Sequence, residues 1–138
     1  MTKSNRKSRN DRGAVAVEFA LILPVLLLIV VGTIEFGRVY SQVQVYNGAA
    51  REGARCAAVM ATAFADCNTL GEVQTRINDA SDPYPNPPAA TFSPSTGCTN
   101  TTIGHDVTVS WAQPLTLSIP FWGDIDFTST IEATFRCE

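Results

Sequence analysis

The sequence has little of what enzymes and nucleic-acid-binding proteins need. It contains one histidine, His105, and its four cysteines include no Cys-x-x-Cys pair, so neither a zinc site nor a catalytic histidine constellation is expected. It has no glycine-rich phosphate loop, and Trp111 and Trp122 are interpreted as core or interface residues. Five of the ten basic residues lie in the first twelve positions, whereas the rest of the chain carries five bases and twelve acids. We therefore expect no enzyme, no metal or other cofactor, and no nucleic-acid partner.

A run without any charge, Phe19 to Ile34, follows the basic segment. At ~1.5 Å per residue, residues 14–34 form a helix as long as the ~30 Å hydrocarbon core of a bilayer. Because a basic segment beside a span stays in the cytoplasm, the pattern predicts a cytoplasmic leader at 1–13, a single span of the cytoplasmic (inner) membrane, and an extracytoplasmic remainder. Pro24 predicts a kink, either that of an ordinary span or a weak point where the helix bends on leaving the bilayer.

Glu18 is a carboxylate inside this apolar segment, where a charge costs at least ~2.5 kcal/mol. A cleaved secretory signal would have a shorter apolar core and a small-residue cleavage site, which VGTIEFG does not offer. A plain signal anchor explains everything except Glu18. The stretch RGAVAVEF resembles instead the class III signal of type IV prepilins, which a dedicated peptidase cuts after glycine on the cytoplasmic face. This resemblance implies cleavage between Gly13 and Ala14 and N-methylation of Ala14.

The cleaved chain gives Glu18 a role. The new α-amino group of Ala14 would enter the apolar helix bundle of a filament, where an unpaired charge is costly. A carboxylate on a neighbouring subunit can pair with it and fix the register between subunits, the best-attested use of a buried charge. We therefore interpret Glu18 as a filament-assembly residue.

The helix is expected to continue outside the membrane over residues 35–66, since no proline occurs between 34 and 64. Phe36, Tyr40 and Val43 are spaced to share one face. Small residues then recur every fourth position, a spacing that lets another backbone approach closely. This stripe packs under the chain's own sheet or faces neighbouring helices in a filament, and a long helix could do both at different heights. Its helix-packing members are Ala49, Ala50, Gly53, Ala54 and Ala57.

The span with its glutamate, the E-x-G-R element at 35–38 and the AAREGAR element at 49–55 together resemble TadE-like proteins, minor pilins or pseudopilins of the Flp (Tad, tight adherence) type IV pilus. The resemblance covers residues 12–59. It implies pilus assembly, surface adhesion and biofilm formation, at the inner membrane or in the extracellular pilus. The implied partners are the major Flp pilin, other TadE-, TadF- or TadG-type proteins, a prepilin peptidase, the inner-membrane assembly platform and the lipid bilayer. TadG-like proteins carry a much larger C-terminal region, so the TadE or TadF type is expected.

An alternative function belongs to a different class. The chain could be an uncleaved, membrane-anchored extracytoplasmic domain that acts alone as a binding module or adhesin. The feature that separates the two hypotheses is the Gly13–Ala14 junction together with Glu18.

Residues 67–138 predict a short helix and an antiparallel sheet. Thr69 and Glu72 have the spacing of a capping box, which opens a helix to about Ala80. HDVTVSWA and IDFTSTIEATFR alternate apolar and polar residues as half-buried strands do, and TFSP adds an edge strand. A long helix laid on a small antiparallel sheet buries these faces and makes an α+β fold. This is also the type IV pilin architecture that the resemblance implies.

Four cysteines beyond the span predict two disulfides in this domain. Spacing alone leaves the pairing open. If the helix reached Phe64, Cys56 would lie ~12 Å below its end, too far for Cys67 to return. That argument favours Cys56–Cys137 with Cys67–Cys98. The alternative is Cys98–Cys137 with Cys56–Cys67.

Overall fold

A computed structural model describes residues 8–62, 66–119 and 122–138 of the chain. Over these residues the chain forms two helices and three strands, with a 3-10 turn between the helices. They are α1 (Ser8–Ala58), the turn (Met60–Thr62), α2 (Leu70–Ala80), β1 (Thr91–Ser93), β2 (Asp106–Ile119) and β3 (Gly123–Arg136). Helix α1 therefore begins inside the expected leader, of which residues 1–7 lie outside the described residues.

The strands form one antiparallel sheet in the order β1–β2–β3. Helix α1 packs against β2, β3 and α2. The predicted α+β fold, a long N-terminal helix on a small antiparallel sheet, is thereby confirmed, and so is the short edge strand at Thr91–Ser93.

The β2–β3 hairpin is longer than the alternating sequence predicts. Its pairing runs without interruption from Asp106 and Arg136 to Ile119 and Gly123. Strand β2 continues through Pro114, although proline cannot donate to the ladder. Because β1 pairs only with residues 108–110, Pro114 lies where β2 has an open edge, which is where strands tolerate proline.

Helix α1 consists of two halves with different surroundings. No side chain from Gly13 to Arg38 is buried, and we call this segment the uncovered half. Val39 is the first buried residue, and we call Val39–Ala58 the covered half. Its buried face carries Val39 and Tyr46. This half contributes most of the helical surface of the core.

The face that Phe36, Tyr40 and Val43 were predicted to share is not the face that the sheet covers. Phe36 and Tyr40 are 68% and 58% exposed, and Val43 is only partly buried. The spacing of seven that joins Val39 to Tyr46 marks the covered side instead. Apolar residues surround α1 on all sides near the span, so periodicity there does not single out the face that the sheet covers.

Helix α1 ends at Ala58, earlier than the predicted end at residue 66. The Ala58 carbonyl accepts from the backbone N–H of Glu138 at 3.1 Å, which gives an unpaired C-terminal carbonyl a partner outside the helix. The 3-10 turn then redirects the chain, with the N–H of Thr62 donating to the Val59 carbonyl at 3.1 Å. Phe64, where the disulfide argument placed the helix end, lies outside the described residues.

Helix α2 begins with the predicted capping box. The Thr69 hydroxyl accepts from the backbone N–H of Glu72 at 3.2 Å, and the Glu72 carboxylate accepts from the N–H of Thr69 at 2.8 Å. The N–H of Asn68 also donates to this carboxylate, at 2.7 Å. These backbone donors, Asn68 first and then Thr69, hold the pKa of Glu72 below its ordinary value because they stabilise the charged form. The helix then buries Val73 and Ile77.

Candidate membrane span and subunit interface

The uncovered half of α1 is apolar on every side. Its large side chains are exposed around the whole circumference, and the helix is long and apolar enough to cross a membrane. A helix that is apolar all round needs an apolar environment rather than water. The large exposed apolar residues between Val15 and Ile34 are Val15, Val17, Phe19, Leu21, Ile22, Leu23, Val25, Leu26, Leu27, Leu28, Ile29, Val30 and Ile34.

The C-terminal end of this segment has the chemistry of a membrane boundary. The hydroxyl of Thr33 donates back to the Ile29 carbonyl at 2.8 Å, so the helix itself satisfies this polar group. The exposed Arg38 then forms an ion pair at 3.5 Å with Glu35, whose side chain is partly buried; these are the first charges after the apolar segment. On the same turns, the rings of Phe36 and Tyr40 stack with centroids 6.4 Å apart. Aromatic residues are enriched at membrane–water interfaces, so these side chains suit the predicted end of the span near Ile34.

Glu18 is exposed on the first turns of the uncovered half. Among the ion pairs of the described residues, Glu18 takes part in none. Its carboxylate projects from an otherwise apolar surface, so a cationic group on another molecule can reach it. The structure therefore presents Glu18 to its surroundings, as the assembly hypothesis requires, and leaves the pairing itself as a prediction.

The Gly13–Ala14 junction lies within α1, and both residues are exposed. A Cβ atom built on Gly13 meets no other atom within 4 Å. Packing within the chain therefore does not require a glycine here. The need for glycine at this position, if the junction is cleaved, comes from the peptidase and stays a prediction.

Pro24 lies inside α1 and within the uncovered half. Proline lacks the N–H that would bind the Ala20 carbonyl, so this carbonyl loses its helical partner. Neighbouring helices or local adjustments satisfy such groups in membranes. Both interpretations of Pro24, an ordinary kink of the span and a point where the helix bends on leaving the bilayer, stay predictions.

The small residues of α1 pack inside the chain itself. Ala49, Ala50, Ala54 and Ala57 are fully buried in the covered half. A Cβ on Gly53 would lie well inside van der Waals distance of the Ile77 Cγ1 atom and 2.7 Å from its Cδ1 atom. Glycine therefore allows α2 to approach α1 closely. Of the two interpretations of the stripe, packing within the chain's own domain is the one that the structure shows.

The four cysteines form two disulfides, and their pairing is the alternative to the one that the helix-length argument favoured. Cys56 pairs with Cys67, with Cα atoms 5.4 Å apart. Cys98 pairs with Cys137, with Cα atoms 5.6 Å apart. The favoured pairing assumed that α1 continued to Phe64. Because α1 ends at Ala58, Cys56 lies in its last turn and the chain returns to it within eleven residues.

Tyr46 is a structural residue that sequence reasoning missed. Its ring is fully buried and lies 6.3 Å from that of Tyr84, and its hydroxyl donates to the Pro85 carbonyl at 2.9 Å. The hydroxyl of Tyr84 also lies 3.3 Å from the Ser41 hydroxyl. The proline-rich segment between α2 and β1, residues 83–88, is thereby fixed against α1. The sequence offers no local signal for this contact, because Tyr46 and Pro85 lie 39 positions apart.

No cluster of three or more histidine, cysteine, aspartate or glutamate side chains that could hold a metal occurs among the described residues. His105 is exposed, in the turn before β2. The uncovered half of α1 therefore remains the candidate functional surface.

Residues 13–55 match the family model described as TadE-like protein. No curated protein matches the chain. No solved structure matches it either.

The matched segment contains the uncovered half of α1, with Glu18, and most of the covered half. The match suggests that the chain is involved in the Tad (Flp) pilus system. Proteins of the TadE-like kind are structural. Over residues 13–55 this chain is similar to TadE-like proteins, which confirms the resemblance seen in its sequence.

Proposed function

We propose that this chain is a minor pilin or pseudopilin of a Flp (Tad) type IV pilus. A prepilin peptidase cuts it after Gly13, and the processed subunit takes part in pilus assembly, surface adhesion and biofilm formation. The subunit resides in the inner membrane with its disulfide-bonded domain on the extracytoplasmic side. From there it enters the pilus.

One observation carries this proposal. The segment that matches TadE-like proteins begins at Gly13 and includes a bare apolar helix with a single exposed carboxylate, Glu18. The domain of the same chain covers only the region from Val39 onward. A receptor domain needs an anchor, but an anchor gains nothing from a charge at this depth, whereas a filament subunit does.

In the proposed assembly step, the α-amino group of Ala14 on one subunit pairs with the Glu18 carboxylate of its neighbour. Both groups leave water as the helices come together, and each charge is costly there without the other. The pairing therefore favours one axial register of the two helices over the alternatives. The major Flp pilin, other TadE-, TadF- or TadG-type proteins and the inner-membrane assembly platform are the proposed partners.

Processing is tested by mass analysis of the N-terminus of the chain extracted from membranes. In cells with the peptidase we expect a chain that begins at Ala14, with or without N-methylation. Replacing Gly13 by a bulkier residue such as leucine should leave the full-length form, because the peptidase requires glycine. Gly32→Leu is the matched control, since this glycine also has no atom within 4 Å of a built Cβ and should permit normal cleavage. An intact Met1 terminus in the unmodified chain would contradict the pilin function and support an uncleaved binding domain.

Assembly is tested with Glu18 variants that leave processing intact. Glu18→Ala should insert into the membrane at least as well as the unmodified chain, because it removes the charge. It should nevertheless reduce cross-linking to other pilus subunits and the number of pili per cell. Glu18→Gln should have a milder effect, since it keeps a hydrogen-bond acceptor but loses the charge-assisted part, roughly half the strength of the bond.

Val17→Ala is the matched control for these variants. Val17 lies on the same turn and is also exposed, but it carries no charge. We expect normal cross-links and pili from this variant. Normal pili and cross-links in Glu18→Ala cells would show that the carboxylate is not an assembly residue, and the plain signal anchor would then explain the span.

A further inference from the structure

The end of the β2–β3 hairpin carries exposed apolar side chains that the domain does not cover. Trp122, Ile125 and Phe127 are 79%, 51% and 42% exposed. Leu117 and Ile119 beside them are only partly buried. We call these five residues the hairpin end.

The hairpin end continues the core face of the sheet. Residues that pair directly across antiparallel strands project to the same side. Leu115 pairs with Phe127 and Leu117 with Ile125, in the same alternation as the core pair Trp111 and Ile131. The apolar face therefore extends beyond the region that α1 covers.

The hairpin points back toward the membrane span. Its open end is fixed at the C-terminus of α1, where the N–H of Glu138 donates to the Ala58 carbonyl. At ~3.3 Å per strand residue and ~1.5 Å per helix residue, a hairpin parallel to α1 would reach about thirty helix residues back, to the level of Leu28. Any angle between strand and helix shortens this reach toward Val39. Because the buried face of α1 runs back from Ala58 to Val39 over the same sheet, the hairpin end lies on the span side of the domain, no deeper than the level of Leu28.

The side chains at this level suit a membrane surface. Trp122 has an apolar ring and a polar N–H, and tryptophan is enriched where the bilayer meets water. The exposed Phe36–Tyr40 pair of α1 marks a similar level. Asp124 and Asp126 alternate with the apolar residues of β3 and project to the other side of the sheet, where the Thr116 hydroxyl donates to Asp126 at 2.7 Å. One side of the hairpin end is thus apolar and the other charged, as expected of a segment that lies on a bilayer without crossing it.

We propose that the hairpin end is a second membrane contact, seated in the headgroup region of the extracytoplasmic leaflet with Trp122 as its anchor. The contact goes beyond the role in assembly, but it rests on the proposed membrane span in α1. It gives the subunit two points of attachment to one bilayer. A folded domain held at two points has its orientation relative to the membrane fixed before it meets a partner.

The test uses tryptophan fluorescence of the full-length chain in phosphatidylcholine vesicles. The difference between the unmodified chain and Trp122→Phe isolates the emission of Trp122, since Trp111 remains in both. We expect lipids brominated near the top of their acyl chains to quench this emission at least twofold. We also expect iodide in the aqueous phase to quench it several-fold less than an exposed indole. Because Trp122 is exposed in the domain itself, Trp122→Phe is not expected to disturb folding.

The matched control moves the tryptophan to the opposite end of the sheet. Ile103 is 55% exposed in the turn before β2. In the Trp122→Phe/Ile103→Trp variant, the new indole should be accessible to iodide and insensitive to brominated lipids. The proposal is overturned if Trp122 behaves like this control. It is also overturned if the shielding of Trp122 disappears as the protein is diluted into more lipid, because a second copy would then be the occupant.

Co-flotation of the chain with the vesicles separates this proposal from its premise. A chain that fails to float would contradict the span in α1, and with it both the assembly role and the hairpin contact. A chain that floats while Trp122 stays open to iodide would contradict only the hairpin contact.

Discussion

The two halves of α1 share one backbone conformation and differ in everything that surrounds it. The uncovered half carries large apolar side chains on all sides, and nothing in its own domain packs on them. The covered half carries alanines and a glycine, and it is packed against α2 and the sheet. Small residues mark the half whose neighbours come from its own chain, and large ones mark the half whose neighbours come from outside.

The difference has an energetic basis. Burying a Leu or Val side chain contributes ~1.5–3 kcal/mol. The apolar side chains of the uncovered half are not buried by their own domain, so lipid or other helices can supply this stabilisation by removing them from water. Alanine contributes far less through its own surface. In the covered half it acts by letting α2 and the sheet approach, so that larger residues such as Ile77 and Ile131 become buried. On one helix, large apolar side chains thus serve contacts with lipid or other molecules, whereas small side chains allow close packing inside the domain.

The largest expected effect comes from the disulfides, which occur only beside the covered half. Cys98→Ser/Cys137→Ser opens a loop with a sequence separation of 39, and Cys56→Ser/Cys67→Ser one of 11. The chain-entropy argument predicts that the free energy of unfolding falls by about 4 kcal/mol in the first case and about 3 kcal/mol in the second. Urea unfolding in detergent, followed by the fluorescence of buried Trp111, measures both.

The uncovered half is the internal control for this experiment. Its helical circular dichroism should persist in detergent after the domain has unfolded, because its neighbours are detergent chains in both states. Loss of all helical signal in a single step with the domain would contradict the division of α1 into halves that are stabilised by different neighbours.

A pair of leucines tests the comparison directly. Leu115 is buried at the sheet, and Leu26 is exposed in the uncovered half. Leu115→Ala should lower the free energy of unfolding of the domain by ~2–5 kcal/mol through lost burial and a cavity. Leu26→Ala should leave the urea midpoint of the domain unchanged. Equal effects of the two substitutions would mean that the uncovered half packs on the domain after all.

A pair of glycines sharpens the comparison within the covered half. Gly53→Ala introduces a methyl group against Ile77, and overpacking of this kind costs ~1–3 kcal/mol. Gly48→Ala has open space around its new Cβ and should instead stabilise the helix by up to ~1 kcal/mol. Thermal unfolding of the two variants beside the unmodified chain gives the signs. A stabilising Gly53→Ala would contradict the close approach of α2.

The smallest effect is expected at the capping box of α2. Because the pKa of Glu72 is lowered in the folded state, its contribution to stability is fully present above the pKa of the unfolded chain. The contribution is lost as the pH falls through the lowered pKa of the folded chain. Glu72→Gln should therefore unfold slightly more easily at neutral pH, and its difference from the unmodified chain should shrink in acid. A difference that stays constant with pH would exclude the charged form as its source.

Features with local causes were predictable from the sequence. The capping box depends on two residues three apart, Thr69 and Glu72, and it is present as predicted. The alternation that leads to Trp111 and Ile131 placed both side chains on the buried face. The long helix and the antiparallel sheet follow from patterns of this kind, so the class of fold was predictable too.

Features that depend on distant contacts were not predictable. At the end of α1, the Ala58 carbonyl accepts a hydrogen bond from Glu138, which follows β3 and is far from Ala58 in the sequence. The disulfide pairing was inferred from a helix that continued to Phe64. Because α1 ends at Ala58, the inferred pairing was wrong as well. At the candidate site, Glu18 stood out because its chemistry conflicts with that of its neighbours. The spacing of Phe36 and Tyr40 predicted a shared face, but the sequence does not show which side of the helix the sheet covers.

Helix α1 continues without a break from the uncovered half into the covered half. Each residue turns the helix by about 100°, so the direction in which Glu18 projects is tied to the direction in which the sheet faces. A continuous helix of this kind transmits rotation about its axis. A partner that binds the helix near Glu18 therefore also sets the direction in which the domain faces, about thirty residues further along the helix. Pro24 lies between Glu18 and the domain. It is the one proline in α1, and a kink there would alter the direction in which the domain faces.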